Sequence, residues 1–517
     1  MDNTQYEHIP QEMFEFQQIN EKIHDKKLET KSRGYFADAM IRFKKNKSSV
    51  VAAWILLLLV LFSIVSPMVS GNDIYHMDQL YKNYPPFVKS VADMKIGILD
   101  GSTSDDANEL EMQKLKGIAE ETGMDPVIEV VNKTSQWERK RGQWIEKFFY
   151  EIKINKYYEL GVDYRTLSYD EYKQIQKFQN ETNIQVLYPY VEPADIEGIK
   201  DNPNIWYKVS DTKGNAILDK DGNFIPAYST NAEKADIVPY KSTRIESDPG
   251  NYIYCYEKSG SVHVRVLYYN YYQYEHWKAT GEPQEPTYIF GTNTLGQCIF
   301  TGIGVGARFS LIFALIVSAI NLTIGAIYGA IQGYYGGTTD MVMDRFADIL
   351  GGVPFIVVAT LFKLHLSQKV PMVVSFAFAF ILTGWLGMAG LTRKQFYRFK
   401  NQEFVLAART LGASDWRLMF KHIFPNSLGT IITSCALVIP GVINSEVSMT
   451  YLGVINLQTT FGTTIGTLAE QGQGAMMSAP HAMLFPALFL SLLLISFNLF
   501  GNGLRDAFNP ATRGVED

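Results

Sequence analysis

Long apolar runs without charged side chains constrain this chain more than any other feature of its sequence. The first run, Ser49–Ser70, follows a polar segment, residues 1–48, that ends in a basic cluster. A helix of this length crosses a bilayer core of about 30 Å. A cleaved signal peptide has a shorter apolar core that lies nearer to the first residue. Residues 49–70 are therefore predicted to form a first membrane helix.

Five further apolar runs follow after a long polar gap. Each is long enough to span a membrane. Together with the first run they predict an all-α polytopic membrane protein with six helices. The predicted spans are Ile303–Ile331, Met341–Leu366, Val370–Leu391, Thr430–Val454 and His481–Leu504.

The distribution of lysine and arginine predicts the orientation of these spans. Residues 455–480, after the fifth span, contain neither Lys nor Arg. Basic residues concentrate on the cytoplasmic side of membrane proteins, so we expect both termini, including the tail 511–517, to be cytoplasmic. The segment after the fourth span is rich in basic residues, namely Lys394, Arg398, Lys400, Arg409, Arg417 and Lys421.

The polar gap, residues 71–290, predicts a separate extracytoplasmic domain. It holds 35 acidic and 25 basic residues, whereas the rest of the chain holds 18 acidic and 22 basic ones. Helix signals at Asn108–Glu120 and after a Ser168/Glu171 capping box alternate with strand signals, which favours an α+β insertion. The predicted strands are Lys95–Leu99, Ile205–Val209, Ala216–Leu218, Phe224–Pro226 after a turn at Asp221-Gly222, and Val262–Leu267.

Tyrosine is concentrated in this insertion, which carries 23 of the 30 tyrosines of the chain. A packed sheet with half-buried tyrosines is one interpretation, and a surface that recognises another protein is the other. The chain has three cysteines, Cys255, Cys298 and Cys435. A disulfide framework is excluded, because only the first two could face the outside.

A polar, basic segment, Asn401–Asn426, lies between the fourth and fifth spans. Its first part has an apolar residue at i, i+3, i+4 and i+7, which predicts a helix that ends at Gly412. Ser414 or Asp415 can cap a second short helix, and Pro425 closes the segment just before the next apolar run. A solvated loop is the alternative, although a loop does not need two helices and a glycine bend. The apolar stripe consists of Phe404, Ala407, Ala408 and Leu411.

This segment resembles the EAA loop of permeases in binding-protein-dependent ABC importers. The matching residues are Ala407-Ala408, Gly412 and Ile423-Phe424-Pro425, and the words LGAS and HIFPN resemble the C-type permease of oligopeptide and dipeptide systems. In that family the loop forms coupling helices that sit in a cleft of a separate ATPase. Leu406 stands where the motif has Glu, and Glu403 lies one turn earlier. The resemblance implies the coupling residues Glu403, Ala407, Ala408, Gly412 and Pro425.

The resemblance covers about 35–70 and 289–510, so it implies a permease core at 291–510. Residues Gly291–Cys298, GTNTLGQC, have the glycine spacing of a phosphate loop. Gln297 and Cys298 replace its Lys and Ser/Thr, so we reject that function. The segment instead resembles GTDxxGRD of the family. Asp219–Gly222 resembles a calcium loop, but Tyr228 stands at its twelfth position instead of Glu, so a turn is the better interpretation.

Three charged residues lie within the predicted spans, at Arg308, Asp348 and Glu446. A charge inside a bilayer is costly and is usually paired or functional. The structural interpretation is that these side chains pair with the backbone or with one another at helix interfaces. The alternative is that they line the translocation path. The family has similar charges at the matching places, which supports the placement and not the role.

The resemblance implies one permease subunit of a type I, ATP-driven importer for oligopeptides or dipeptides, in a bacterial plasma membrane. Expected partners are a B-type permease, two ATPases that carry ATP and magnesium, an external binding protein and lipid. We expect no cofactor or metal on this chain, no catalytic residue and no nucleic acid. The alternatives are a surface receptor or anchored binding module that acts through residues 71–290, and an ectodomain hydrolase. We hypothesise that the insertion contacts the binding protein, and a passive cap on the partner permease is the alternative.

Overall fold

The computed structural model describes residues 35–140, 143–188, 206–207, 226–227, 238–240, 255–258, 260–457 and 462–508. It begins with α1, Tyr35–Lys45, and α2, Lys47–Val69. Asn46 separates the two helices and caps α2, because its side-chain oxygen accepts a hydrogen bond from the Ser49 N–H at 3.3 Å. α2 is long and apolar enough to cross a membrane, which confirms the first predicted span.

The insertion combines helices with antiparallel sheets. One sheet has the order β1-β3-β2; another has β4-β10-β9-β8, with β5 also paired to β10; and β6 pairs with β7. The elements are α3 Lys89–Ala92, β1 Ser102–Asn108, α4 Glu109–Thr122, β2 Val127–Lys140, β3 Gln143–Asn155, α5 Lys156–Glu159, β4 Val162–Leu167, α6 Tyr169–Thr182, β5 Leu187–Tyr188, β6 Trp206–Tyr207, β7 Pro226–Ala227, β8 Val238–Tyr240, β9 Cys255–Lys258, β10 Ser261–Leu267 and α7 Tyr268–Thr280.

Both predicted helices of the insertion are present. Asn108 and Glu111 form a reciprocal capping box at the start of α4. Ser168 caps α6 by accepting a hydrogen bond from the Glu171 N–H at 3.2 Å. The Glu171 carboxylate accepts a hydrogen bond from the Tyr271 hydroxyl at 3.2 Å, so it serves the contact between α6 and α7.

The strand predictions of the insertion have mixed outcomes. β10 confirms Val262–Leu267. The prediction at Lys95–Leu99 is wrong, because Lys95, Gly97 and Leu99 all have positive φ angles, of 54°, 80° and 52°, and extended strands need negative ones. β6 and β7 coincide with parts of two predicted strands. Ala216–Leu218 and the turn at Asp221-Gly222 lie outside the described residues.

The described tyrosines of the insertion mostly form its core. Tyr81, Tyr157, Tyr269 and Tyr288 are at most 2% exposed, and their rings pack edge to face or stacked with centroids 4.5–6.3 Å from neighbouring aromatic rings. Such geometry is typical of favourable aromatic pairs. These tyrosines are therefore packed inside the domain, although they lie in helices and loops and not in a sheet, and a tyrosine recognition surface is wrong for them.

The helices after the insertion form the membrane part of the chain. Counted with α2, five helices among the described residues could cross a membrane by length and composition, or six if one bent pair counts as a single span. The elements are α8 Ile299–Tyr335, α9 Gly337–Gly351, α10 Phe355–His365, α11 Met372–Thr383, α12 Leu386–Phe399, α13 Glu403–Thr410, α14 Asp415–Arg417, a π-helical turn Leu418–Ile423, α15 Phe424–Tyr451, α16 Ile465–Gly474 and α17 His481–Phe508.

The bent pair corrects the third predicted span. Met341–Leu366 is not one straight helix, because α9 and α10 meet at an angle of 73°. The break falls at the sequence Gly351-Gly352-Val353-Pro354. Two glycines weaken the helix, and proline disfavours helical geometry in the residue before it. The fourth predicted span is also longer than expected, because it extends from Met372 to Phe399.

A stripe of glycines brings α8 and α12 into backbone contact. Gly325, Gly329 and Gly333 lie four residues apart on α8. A Cβ at Gly329 would lie 2.2 Å from the Ala389 carbonyl oxygen, and one at Gly333 would lie 2.7 Å from the Arg393 carbonyl oxygen. Small residues at this spacing let membrane helices pack closely, so the two helices form a tight pair.

The segment Gly291–Cys298 fastens the insertion to the membrane helices. The Asn293 amide donates a hydrogen bond to Gln471 Oε1 of α16 at 2.9 Å, and the Gln297 amide donates one to the Ile74 carbonyl at 2.8 Å. At Gly296 the φ is +79°, and a Cβ would lie 1.8 Å from the Asp78 carbonyl oxygen. The chain's own groups fill this loop, as expected from its rejection as a phosphate site.

Candidate functional site

The coupling segment, residues 401–426, is built around a bend at Gly412. The first predicted helix is confirmed as α13, which ends at Thr410. Gly412 follows with a φ of +82°, in the left-handed region that glycine enters without steric cost. A Cβ at this position would meet no atom within 4 Å. The backbone conformation, rather than lack of space, requires glycine here.

The apolar stripe that predicts α13 largely faces away from the chain. Phe404 is 42% and Leu411 88% exposed, and Ala407 is exposed as well. Val405 is instead fully buried, and Ala408 packs against the same cluster. A narrow face of α13 therefore holds the helix to the membrane helices, and the broader apolar face is not covered by described residues.

The second predicted helix begins where expected and does not end where expected. Ser414 occupies the N-cap position, although its side chain makes no capping hydrogen bond, and the helix starts at Asp415. The prediction of a separate short helix is wrong, because one continuous helix runs from Asp415 through Pro425 to Tyr451. Proline removes a backbone donor and crowds the carbonyl four residues earlier. The π-helical turn before Pro425 lengthens the hydrogen-bond spacing and so keeps the helix continuous.

Polar contacts and a small apolar cluster attach the coupling segment to the ends of α8 and α12. The Tyr334 hydroxyl of α8 donates a hydrogen bond to Asp415 Oδ1 at 2.6 Å, and Arg409 donates one to the same hydroxyl at 3.4 Å. These two hydrogen bonds join the segment to the end of α8. The buried residues of the cluster are Ala330, Tyr334, Phe396, Val405, Leu418, Met419 and Ile423.

The outer surface of the segment is apolar at its centre. Leu406, which replaces the Glu of the motif, is 44% exposed and Trp416 is 63% exposed. The Trp416 ring lies 4.1 Å from that of Phe420 between centroids. Glu403 and Pro425 are exposed at the margins. The same segment also has exposed basic side chains, namely Arg409, Arg417 and Lys421. Large exposed apolar side chains are common at interaction sites, so this mixed surface is suited to bind another protein.

The three charged residues predicted within the spans lie in separate environments. Glu446 is fully buried and accepts a hydrogen bond from Ser310 Oγ at 2.7 Å. Arg308 donates to the Ser63 carbonyl of α2 from Nε and Nη2, at 3.3 and 3.1 Å. Asp348 pairs at 3.3 Å with Arg345, and both side chains are mostly exposed. Among the described residues, no hydrogen bond or ion pair joins the three.

A polar network that the sequence analysis missed joins α8, α9 and α12. Arg393 of α12 forms ion pairs with Asp340 at 2.7 Å and with Asp344 at 2.8 Å. The Tyr397 hydroxyl donates a hydrogen bond to Asp340 at 2.5 Å. The signal was two carboxylates four residues apart on one helix and an Arg and a Tyr four residues apart on another, which places each pair on one face.

The described residues hold no group of three or more His, Cys, Asp or Glu side chains arranged to bind a metal ion.

The comparisons with known proteins match the two ends of the chain. The family described as binding-protein-dependent transport system inner membrane component matches residues 321–514, and the N-terminal TM domain of oligopeptide transport permease C matches 34–86. The oligopeptide transport system permease protein OppC of Bacillus subtilis is 39% identical over 232 residues, which cover 45% of this chain and 74% of the relative. The chain belongs to this permease family.

Other relatives agree with this assignment. The dipeptide transport system permease protein DppC of Lactococcus lactis is 40% identical to this chain. The matched residues cover 47% of this chain and 68% of DppC. The glutathione transport permease GsiD of Pectobacterium atrosepticum is 30% identical over 47% and 77%. An inward-facing structure of the MetNI methionine ABC transporter superposes on 41% of the permease and 98% of that chain, with 12% identity and a TM-score of 0.35. Neither family model reaches residues 87–320, which include most of the insertion.

Proposed function

We propose that the permease is the C-type subunit of an importer for oligopeptides or dipeptides, driven by ATP and supplied by an external binding protein. Its partners are a B-type permease and two cytoplasmic ATPases, which bind ATP and magnesium. The names of the relatives, two of which transport oligopeptides and dipeptides, support this substrate class. The chain itself provides the membrane helices and the contact with one ATPase.

The observation that carries the proposal is the apolar outer surface of the coupling segment. The surface is exposed, yet the segment beneath it is hydrogen-bonded to α8 through Tyr334 and Asp415. When the ATPases close on ATP, they displace this surface. The displacement passes into α8 and α12 and opens the path to the other side of the membrane. Leu406 contributes apolar contact at the position where the motif has Glu.

The lysine and arginine bias supports an orientation with both termini and the coupling segment in the cytoplasm of a bacterium and with the insertion outside. Protease treatment of intact cells should cut the insertion. If cutting requires an opened membrane, the orientation is wrong.

Reconstitution of the whole transporter tests the function. The complex is purified through a tag on this chain and placed in proteoliposomes with its binding protein. Radiolabelled alanine peptides of three to six residues serve as the probe. We expect uptake that requires both the binding protein and magnesium-ATP. Uptake that is independent of either, or a purified chain without an ATPase, would contradict the proposal.

The insertion helps to position the binding protein at the external mouth of the path. Its two ends meet, because the Asn72 amide donates a hydrogen bond to the Thr287 carbonyl at 2.9 Å. Replacing residues 75–287 by a short linker therefore leaves the connection between α2 and α8 feasible. We expect a higher half-saturating concentration of binding protein with the maximal uptake rate largely kept. An unchanged titration curve would exclude this role, and loss of assembly would favour a stabilising cap.

A further inference from the structure

The inner ends of α8, α9 and α12 are joined by the network around Arg393. Its guanidinium approaches both carboxylate oxygens of Asp340, with Nε 2.7 Å from Oδ1 and Nη2 2.7 Å from Oδ2. The remaining nitrogen, Nη1, donates to Asp344 Oδ1 at 2.8 Å. Only Nη2 forms a hydrogen bond to Asp340, because Nε and Oδ1 lie close together without hydrogen-bond geometry. The guanidinium therefore bridges two carboxylates with one charge-assisted hydrogen bond to each, and such bonds are about twice as strong as neutral ones.

Two further side chains complete the network. The Tyr397 hydroxyl donates to Asp340 Oδ2 at 2.5 Å. The Gln332 amide of α8 donates to Asp344 Oδ1 at 3.2 Å and lies 3.4 Å from the Asp340 carbonyl oxygen. All three helices therefore contribute, and the orientation of α9 relative to α12 is determined by several directional contacts.

α9 has little other attachment to the chain. Asp340 is its only buried residue, and large apolar side chains farther along it, such as Phe346 and Ile349, are 53% and 71% exposed. Beyond the network, the Tyr328 hydroxyl of α8 donates to the Met343 carbonyl at 2.7 Å. Apolar burial thus does little to fix α9, and polar contacts near its start hold it to its neighbours.

The helices that hold α9 also hold the coupling segment. The glycine stripe packs α8 against α12, with a Cβ at Gly333 predicted to lie 2.7 Å from both the Arg393 carbonyl oxygen and the Phe396 Cβ. Phe396 and Tyr334 belong to the cluster on which the coupling segment rests, and Lys400 Nζ donates to the Gly333 carbonyl at 3.1 Å. A continuous set of contacts therefore runs from the coupling segment through α8 and α12 to α9.

We propose that Arg393 is a positioning residue that makes the bent pair α9–α10 follow α12 and the coupling segment during transport. The inference rests on the proposed function, because it assumes that ATPase movement reaches the coupling segment. Without the Arg393 contacts, the coupling segment and α12 still move together, while α9 no longer follows. ATP hydrolysis then continues without productive movement of the path.

The test compares Arg393→Gln with the unaltered transporter in proteoliposomes, with equal amounts of assembled complex and the alanine peptides as probe. We expect ATP hydrolysis stimulated by the binding protein to stay within about twofold. We expect the number of peptides carried per ATP to fall about tenfold, a factor typical of the coupling between two sites. A merely structural role would lower uptake and ATP hydrolysis together through loss of complex, and would leave the number of peptides carried per ATP unchanged. Lys394→Gln is the matched control, because Lys394 is an exposed neighbour on the same helix, and it should leave the ratio unchanged.

Milder variants decide the outcome if Arg393→Gln does not assemble. Arg393→Lys keeps the positive charge but loses the planar guanidinium. Tyr397→Phe removes one hydrogen bond to Asp340. Each variant should lower the number of peptides carried per ATP by a smaller factor. Asp340→Asn combined with Arg393→Gln should be no worse than the stronger single variant, because both remove the same contact. The proposal would be overturned if the number of peptides carried per ATP were unchanged in every assembled variant. It would also be overturned if the losses of the two single variants multiplied in the double variant. If the unaltered transporter shows no ATP-dependent uptake, the proposed function itself fails, which is a distinct result.

Discussion

The insertion and the coupling end of the permease bury their large side chains in opposite ways. In the insertion, Tyr81, Tyr157 and Tyr288 are almost completely buried by residues of the same chain. At the coupling end, Leu411 and Trp416 are 88% and 63% exposed, while the backbones of α8 and α12 touch along the glycine stripe.

The difference shows which part of the chain leaves large apolar side chains for a partner to cover. The insertion buries its tyrosine rings against its own residues, and the Tyr268 hydroxyl donates a hydrogen bond to Asp78 inside the domain. At the coupling end, α8 and α12 pack closely against each other, and the outer side chains of the coupling segment are exposed. A closely packed helix pair can transmit a displacement of the surface attached to it, whereas a loosely packed pair would deform instead.

Separating the closely packed helix pair should have the largest effect. Gly329→Leu places a side chain where a Cβ already comes within 2.2 Å of the Ala389 carbonyl oxygen, so α8 and α12 must separate. Overpacking against a backbone that cannot yield destabilises by more than about 3 kcal/mol. We expect little assembled transporter in the membrane, measured as purified yield. Gly390→Leu on α12, where a Cβ meets nothing within 4 Å, should assemble; equal losses would show that the close packing is not the cause.

Disturbing the bend should abolish transport and leave assembly intact. Gly412→Leu has space for its side chain, but a φ of +82° in such a residue costs about 1–3 kcal/mol. The bend therefore relaxes and misplaces the apolar surface. The measurements are uptake and stimulation of ATP hydrolysis by the binding protein. Gly412→Asn should retain more of both, since asparagine tolerates this conformation. Normal values in the leucine variant would remove the segment from the mechanism.

Two buried tyrosines test how the hydroxyl groups of the insertion contribute to its stability. Tyr268 donates to Asp78 Oδ1 at 2.6 Å, so Tyr268→Phe should destabilise the insertion by about 2 kcal/mol. The buried Tyr81 hydroxyl has no hydrogen-bond partner among the described residues, so Tyr81→Phe should be neutral or stabilising. Thermal unfolding followed by tyrosine fluorescence compares them. Both variants keep the aromatic ring and lose only the hydroxyl, so equal destabilisation would contradict a particular contribution of the hydrogen bond to Asp78.

The smallest expected effect is a pH dependence from Glu275 of α7. Burial raises the pKa of its carboxyl, and nearby Asp78 and Glu171 add to the rise, while Arg165 and His76 oppose it. A raised pKa in the folded state means that stability is greatest when the group is protonated and falls as the pH rises through that pKa. Glu275→Gln should therefore match the native chain near pH 4 and have a higher Tm at pH 8. The exposed Glu282→Gln is the control, and a gain that is independent of pH would contradict the assignment.

The sequence predicts the helices well because their signals are local. The apolar runs and the capping residues Asn108 and Ser168 lie within or beside the elements that they define. The bend between α9 and α10 was also readable, in Gly351-Gly352 and Pro354, and was overlooked because the apolar run continues through it. The strand prediction at Lys95–Leu99 was wrong for a different reason. The apolar pattern of these residues favours a strand, but the backbone forms turns with positive φ instead.

Features that depend on distant residues were not predictable in the same way. Whether Leu411 is covered depends on which face of α13 meets α8, and the helical period alone does not specify this. Asp340 and Arg393 are 53 residues apart in the sequence and meet only because the glycine stripe positions α12. α7 was missed because a helix whose residues Tyr268–Tyr274 are all buried carries no amphipathic period to detect.

The strand order of the insertion has a consequence for the timing of synthesis. β4 pairs with β10, although almost a hundred residues separate them in the sequence, and the ribosome needs roughly 5–20 s to add that many. During this interval β4 has exposed backbone groups and no neighbour on that side. β10 is followed closely by α7 and then by α8, so the sheet closes at about the time when α8 enters the membrane.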